Sequence, residues 1–274
     1  MAAHLSEADL GHRNLIAYSK VLTGWCDGGG LLEREGVLAY AGGSWVPVVC
    51  NGVFRTDDGV APEVVLDLAE EFFTERRRGY SLKLRDSGPE DDLMVACEAR
   101  GLAAFGEPAP EMVCRAPLPV PALPEGVELR PVVNIEGVRD FCLVNGIAYG
   151  TYGMPAEVTD AMFSRPEAVL ADPDTAIVVA YRGGEALATA MVFCSDGVAS
   201  LQWVGTLPDA RGLGLGQAVT VWTTNEAFRR GASVCTLQAS TMGEPLYRAL
   251  GYESLYHYRE FVRWRRPPPG AVES

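Results

Sequence analysis

The sequence predicts an α+β fold, because stretches with the pattern of strands alternate with stretches that have the pattern of helices. Two observations in the second half support this prediction. The glycine pair Gly183-Gly184 joins two apolar runs, which is typical of a hairpin turn. Further along, an apolar run at 198–205 ends at a glycine-rich loop, and a long helix-like stretch begins at about residue 215. The unit of strand, loop and helix is therefore the best-defined part of the chain.

The other elements are predicted from periodicity and from the residues that interrupt it. The helix at 62–78 depends on an apolar stripe at helical spacing, formed by Val64, Val65, Leu68, Phe72 and Phe73. The remaining elements predicted before residue 118 are a strand at 82–84, a helix at 92–100 and a strand at 112–114. After residue 126 we expect strands at 127–131, 176–181, 186–194, 198–205, 234–239 and 255–264, and helices at 135–149, 155–170 and 216–230.

Length and composition limit the class of protein. The chain has 274 residues, of which 48% are hydrophobic and 22% are charged, as in a globular protein with one large or two small domains. No apolar run approaches the roughly 20 residues that span a bilayer, and the first nine residues do not resemble a signal peptide. The seven cysteines are scattered and lack a C-x-x-C pair, which favours reduced thiols and a cytoplasmic location.

The charge balance makes some partners improbable. A formal net charge of −13 disfavours nucleic acid, which needs a basic face, and we expect no membrane partner. An acidic surface would attract cationic amines, although solubility alone also explains it. The three histidines, His4, His12 and His257, lack metal-ligand spacing, so no metal is expected. The sequence leaves monomer and homodimer open.

The glycine-rich loop has the composition of an anion site. One arginine, Arg211, precedes three glycines at alternate positions, Gly212, Gly214 and Gly216. Glycine lets an anion approach the backbone N–H groups closely, and the N-terminus of the following helix favours negative charge. The spacing does not match G-x-G-x-x-G of dinucleotide-binding proteins, and the Gly-Lys-Ser/Thr of a Walker loop is absent.

The spacing R-x-x-G-x-G resembles the pyrophosphate loop of the GNAT superfamily of N-acetyltransferases. For this hexapeptide alone, an ordinary glycine-rich turn before a helix is the alternative. The downstream sequence extends the resemblance, since a polar residue, a small residue, Leu-Tyr and Leu-Gly-aromatic follow in the family's order. These places are filled by Ser240, Gly243, Leu246, Tyr247, Leu250, Gly251 and Tyr252. Ser240 departs from the family's more usual Asn. The chain is identified as a member of the superfamily, which implies a mixed sheet.

The resemblance implies transfer of an acetyl group from acetyl-CoA, as cosubstrate, to an amine acceptor by direct attack. The residues that it assigns to acetyl-CoA are Val204, Thr206, Arg211, Gly212, Gly214, Leu215, Gly216 and Ser240. The backbone of Val204 and Thr206 would pair with the pantetheine. Tyr247 occupies the place of the family's general acid, and a packing tyrosine is the alternative.

The acceptor side is less defined. Tyr149, Tyr152 and Gln202 are candidates to contact a small-molecule or peptide amine, although the two tyrosines would equally suit packing within their loop. No general base is evident. Glu157, Asp160 and Glu244 are near in the pattern, and each is better explained as a solvated helix charge.

A proline-rich segment at 117–124 divides the chain into two parts that resemble each other. We predict a domain at 1–118, a linker at 119–126 and a catalytic domain at 127–274. Gly101 and Gly251 mark an offset of about 150 residues, so the chain resembles tandem GNAT proteins. The first part has Thr56-Asp57-Asp58-Gly59 in place of the phosphate loop, and Cys97 in place of Tyr247. It is interpreted as a degenerate copy that packs on the second half or forms a wall of its acceptor site, the alternative being an unrelated α+β domain.

Two other functions fit the same residues. The missing base would suit an acyl-CoA-binding regulatory or scaffold protein without turnover. A transferase with a different acyl-CoA, or with a larger acceptor as in tandem mycothiol synthases, would have the same architecture.

Overall fold

The eleven strands of the described residues lie in one sheet. The computed structural model describes residues 5–265, so His4 is outside the described part. The strands, numbered along the chain, follow the spatial order β1-β2-β3-β4-β11-β5-β10-β9-β8-β7-β6. Most neighbours are antiparallel, whereas the pairs β3/β4 and β9/β10 are parallel. The predicted α+β fold with a mixed sheet is therefore confirmed.

The elements divide at the proline-rich segment. Those before it are α1 (Glu7–Leu22), β1 (Gly30–Arg34), β2 (Val37–Ala41), β3 (Asn51–Arg55), α2 (Pro62–Glu75), β4 (Tyr80–Arg85), α3 (Asp91–Ala99) and β5 (Ala103–Cys114). Those after it are β6 (Val127–Pro131), α4 (Ile135–Gly150), α5 (Glu157–Met162), α6 (Pro166–Ala171), β7 (Thr175–Arg182), β8 (Glu185–Ser195), β9 (Val198–Thr206), α7 (Leu215–Arg229), β10 (Val234–Gln238), α8 (Glu244–Ala249) and β11 (Glu253–Arg263).

Two features differ from the sequence prediction. The helix predicted at 155–170 consists of α5 and α6, because Pro166 lacks an N–H and disfavours helical backbone at Arg165. The backbone N–H of Arg165 instead donates to the carbonyl of Trp25 at 2.9 Å. Helix α1, which the periodicity did not reveal, begins at an N-cap where the Ser6 side chain accepts from the N–H of Asp9.

The two halves exchange their last strands. Strand β5, from the first half, pairs with β10 and β11 of the second half. Strand β11, from the second half, pairs with β4 and β5 of the first half. Each half therefore completes its sheet with a strand of the other. The predicted division into domains at 119–126 stays a prediction, because the sheet runs through both parts.

Side chains from both halves also share a core. Helix α1 packs on β8 and β9, and its buried Tyr18 and Leu22 lie in one cluster with Phe141 and Phe193 of the second half. Asn14 fixes the crossing, since its Nδ2 donates to the Val198 carbonyl at 3.1 Å. The first half therefore covers one face of strands β8 and β9.

Residues 5–265 include no helix that combines the length and apolar character needed to cross a bilayer. All seven cysteines are free thiols, and six of them are buried.

Candidate active site

The glycine-rich loop begins where β9 ends and delivers the chain into α7. A 3-10 turn at Pro208–Ala210 precedes it. Gly212 and Gly214 have φ of +76° and +77°, in the left-handed region that side chains with a Cβ disfavour. A Cβ on either glycine would meet no protein atom within 4 Å, so both face open space. Backbone conformation therefore explains the two glycines, and the space beside them is left to a ligand.

The first turn of α7 has no side-chain cap, so backbone N–H groups at its N-terminus have no protein acceptor. It also has no acidic residue, whereas every other α-helix of the described part has Asp or Glu in its first turn. Arg211 is exposed, and its Nη2 donates only to Thr151 Oγ1, at 3.3 Å. Uncapped donors, a nearby cation and no carboxylate are the features that bind a diphosphate.

Strand β9 has a free edge next to this loop. Its parallel pairing with β10 covers only Val198–Leu201, and the strand continues to Thr206. Trp203 has φ of +52°, in a β-bulge where the register against β8 shifts. The bulge lies where β9 loses β10 as a partner, which leaves the Val204 end of the strand open to an extended ligand.

Loop, helix and strand edge enclose a cleft of about 400 Å³. Its wall includes every residue that the resemblance assigned to acetyl-CoA: Val204, Thr206, Arg211, Gly212, Gly214, Leu215, Gly216 and Ser240. A diphosphate fits the uncapped helix end and an extended arm fits the strand edge. The geometry of the loop and of the strand edge beside it therefore fits coenzyme A.

Ser240 has a structural partner as well as a place in the cleft. Its Oγ accepts from the N–H of Gly243 at 3.1 Å, which organises the turn before α8. The same Oγ lies 3.1 Å from the hydroxyl of Tyr152, across the mouth of the cleft. Ser240 therefore joins β10 to the loop that follows α4.

Tyr247, on α8, stands where two cavities meet. It is buried, and its ring lies 5.9 Å from that of Tyr252. It lines both the cofactor cleft and a second cavity, and its hydroxyl makes no hydrogen bond within the described residues. Burial raises the pKa of Tyr247 well above that of a free phenol, so the group keeps its proton. Tyr247 is therefore a weaker acid than a free tyrosine, whose pKa is near 10.

The second cavity has a volume of about 300 Å³ and lies between the two halves. The tyrosines Tyr149 and Tyr152 and the amide of Gln202 line it, as the sequence prediction for the acceptor side requires. The first half forms the opposite wall, which is one of the two roles that the sequence predicts for it. Its contribution consists of Leu15, Tyr18, Ser19, Leu22, Tyr40, Val49 and Lys83.

The three acids considered from the sequence lie elsewhere. Glu157 and Asp160 are exposed on α5, and Glu244 is paired with Arg248 on α8. None of the three lines either cavity.

A buried acid that the sequence analysis missed lies just behind the second cavity. Glu111 on β5 is 2% exposed, is in register with Gln238 of β10, and has no hydrogen-bond partner for Oε2. Burial raises the pKa of Glu111 to about 7, although Thr236, Lys83 and Gln238 oppose the rise. Only the strand exchange places this first-half residue beside β10, so no local pattern predicts it.

Sequence and structure comparisons converge on the same region. A family model described as an acetyltransferase (GNAT) domain matches residues 173–254, which contain the loop, β10 and α8. No curated protein matches the sequence.

Several solved structures are similar in fold. A GCN5-related N-acetyltransferase from Kribbella flavida is 22% identical with a TM-score of 0.67, over 91% of this chain and 94% of that one. One from Sphaerobacter thermophilus is 19% identical with a TM-score of 0.63, over 85% and 78%. A tandem GNAT protein from the clavulanic acid biosynthesis pathway is 14% identical with a TM-score of 0.58, over 88% and 80%. On these findings, the chain carries a GNAT acetyltransferase domain and has the fold of solved GNAT proteins along most of its length.

Proposed function

We propose that this acyltransferase moves an acetyl group from acetyl-CoA to an amine acceptor. The observation that carries the proposal is the junction of two cavities at Tyr247. One cavity has the anion-binding loop and the free strand edge, and the other is separate from the phosphate loop. A cofactor cleft that opens into a second chamber is the arrangement that group transfer between two bound molecules needs.

Each part of the site has a physical task. The N–H groups at the start of α7, together with Arg211, would hold the diphosphate, and the backbone of Val204 and Thr206 would align the pantetheine. Acetyl-CoA supplies the acetyl thioester that the amine attacks. Tyr247, which stays protonated, would donate a hydrogen bond to the departing sulfur.

The second cavity would favour the neutral form of the acceptor amine, which is the form that reacts. No carboxylate lines it, most of its wall is apolar or aromatic, and Lys83 is the one charged residue there. Desolvation disfavours an ammonium ion, so it lowers the pKa of a bound amine. An amine bound in this cavity therefore loses its proton more readily than in water.

We further propose that the first half is a GNAT-like copy that lost its cofactor site and now forms a wall of the acceptor cavity. Support comes from the acidic Asp57 and Asp58 at its strand-to-helix junction, and from its residues that line the cavity.

Calorimetric titration with acetyl-CoA, followed by assays of free thiol release with a panel of amines, tests the proposal. We expect one site per chain and thiol release that depends on both substrates. Binding without turnover on any amine would instead favour a regulatory or scaffold protein. Faster release from a longer acyl-CoA would favour a transferase of a different acyl group, and failure to bind any acyl-CoA would contradict the cofactor assignment.

A further inference from the structure

The acceptor cavity has one charged side chain in its wall, and the first half supplies it. The whole chain has only two lysines, Lys20 and Lys83. Lys20 lies on α1 and pairs with Glu33 at 2.6 Å, outside the cavity. Lys83 lies on β4 and lines the cavity, where every other lining residue is uncharged. An ammonium group in a largely apolar wall is the strongest electrostatic feature that an acceptor meets there.

No direct ion pair neutralises Lys83. Its Nζ donates to Oε1 of Gln238 at 3.0 Å, and no carboxylate of the described residues lies within 4.0 Å of it. Two acids are near in the sheet: Glu260 is opposite Lys83 in register, and Glu111 is opposite Gln238. Glu111 is partly protonated near neutral pH, because burial raises its pKa to about 7. Because its one hydrogen-bond partner among the described residues is a neutral amide, the ammonium group retains donors for an anionic ligand.

Lys83 is also separated from the reacting end. The cavity and the cofactor cleft share Tyr149, Tyr152, Val204, Ser240 and Tyr247, and Lys83 is not among these shared residues. A molecule with its amine next to Tyr247 would reach Lys83 with a different group. Apart from Lys83, the cavity wall consists largely of rings and aliphatic side chains, such as Tyr18, Tyr40 and Leu22.

We infer that the acceptor is a small amine with an apolar or aromatic body and a carboxylate remote from the reacting nitrogen, which Lys83 binds. This inference rests on the proposed function, because it describes the acceptor of the same site. A volume of about 300 Å³ is at the small end of ligand pockets, which matches an acceptor of this size. It also gives the first half a role in substrate selection.

Binding of a molecule that cannot react tests the inference without turnover. The probes are 4-methylbenzoate and 4-methylbenzamide, which share a shape and differ in charge, titrated calorimetrically into the protein saturated with coenzyme A. We expect 4-methylbenzoate to bind at least about tenfold more tightly than 4-methylbenzamide, because an ion pair worth about 1.4 kcal/mol changes the affinity tenfold. Lys83→Met should remove this preference, Lys83→Arg should retain it, and the matched control Lys20→Met should leave it unchanged. Equal binding of the two probes to the unmodified protein would overturn the inference.

Turnover separates this inference from the proposed function. The acceptors are 4-(aminomethyl)benzoate and 4-(aminomethyl)benzamide, with acetyl-CoA and thiol release as the readout. We expect a lower KM for the carboxylate, lost in Lys83→Met. Equal KM values with measurable turnover would overturn the role of Lys83 and leave the acetyltransferase intact. A probe preference that depends on Lys83, without turnover, would support the anion site and count against the transferase.

Discussion

The two strand-to-helix junctions, from β3 to α2 and from β9 to α7, occupy the same place in the two halves, since each follows the strand that pairs in parallel with the next one. Their chemistry is opposite. The first junction has Asp57 and Asp58, and α2 begins with Pro62 and Glu63, so it has one N–H fewer and three carboxylates nearby. The second has one acid, Asp209, in the 3-10 turn that precedes the loop, followed by an arginine, left-handed glycines and no acid in the first turn of its helix. The fold supplies a helix end in both halves, and only local sequence makes one of them fit to bind an anion.

The largest effect is expected from a carboxylate in the second junction. Gly214→Glu should weaken acetyl-CoA binding by more than about 10³-fold, about 4 kcal/mol, because a bulky anion enters the diphosphate site at a left-handed position. Calorimetry measures this. Gly59→Glu, the same change at the first junction, is the matched control and should leave binding unaltered. Gly214→Asn, which tolerates left-handed backbone better, checks for strain. Undiminished affinity in folded Gly214→Glu would remove the loop from the cofactor site.

The exchanged strands show a second contrast. Glu260 of β11 lies opposite Lys83 of β4, whereas Glu111 of β5 lies opposite the amide side chain of Gln238 of β10. Glu260 is half-buried, and Glu111 is fully buried. A buried carboxyl at such a position costs stability unless it stays protonated. Both exchanged strands therefore carry a glutamate beside the strand that they complete, and only Glu260 has a lysine opposite it.

Glu111→Gln should make the protein less sensitive to rising pH. The pKa of this carboxyl is raised to about 7 in the folded state, against 4.5 for an ordinary glutamate. Below pH 4.5 both states hold the proton. Between these values the unfolded chain releases it first, so unfolding becomes easier as pH rises, by roughly 3 kcal/mol above pH 7. Denaturant unfolding at pH 4.5 and pH 8 should show this loss in the unmodified protein relative to Glu111→Gln. Parallel stability curves for the two proteins would contradict it.

Tyr247, the proposed proton donor, gives a smaller expected effect. Tyr247→Phe should lower the rate of acetyl transfer by on the order of 10²-fold and leave acetyl-CoA affinity unchanged, because it removes a proton donor and keeps the ring. The rate and the calorimetric affinity are measured on the same preparation. Cys97→Ala alters the counterpart position on α3 and should leave both values unchanged. A normal rate in Tyr247→Phe would reduce this residue to a packing role.

The difference between the halves also explains what the sequence could predict. The loop, α7, β10 and α8 follow one another along the chain. The spacing of residues within 204–247 is therefore enough to predict which of them line the cleft beside the loop. The acceptor cavity is formed by strands and helices that are far apart in the sequence. Lys83 lines it, and Glu111 lies opposite its lining residue Gln238, only because β11 lies beside β4 and β5 lies beside β10. Such pairings are tertiary, and no periodicity within β4 or β5 indicates them.

The smallest effect is expected where the comparison is most direct. The double substitution Asp57→Asn and Asp58→Asn removes the negative charge of the first junction with little change in shape. If charge alone excluded a diphosphate, a second acetyl-CoA would then bind per chain. The backbone argues otherwise, since the loop between β3 and α2 has no left-handed residue and Pro62 removes an N–H from the helix end. We therefore expect one site per chain before and after the substitution, measured by calorimetric stoichiometry. Two sites in the double variant would show that the first half lost its cofactor through two charges, whereas two sites in the unmodified protein would contradict its interpretation as a degenerate copy.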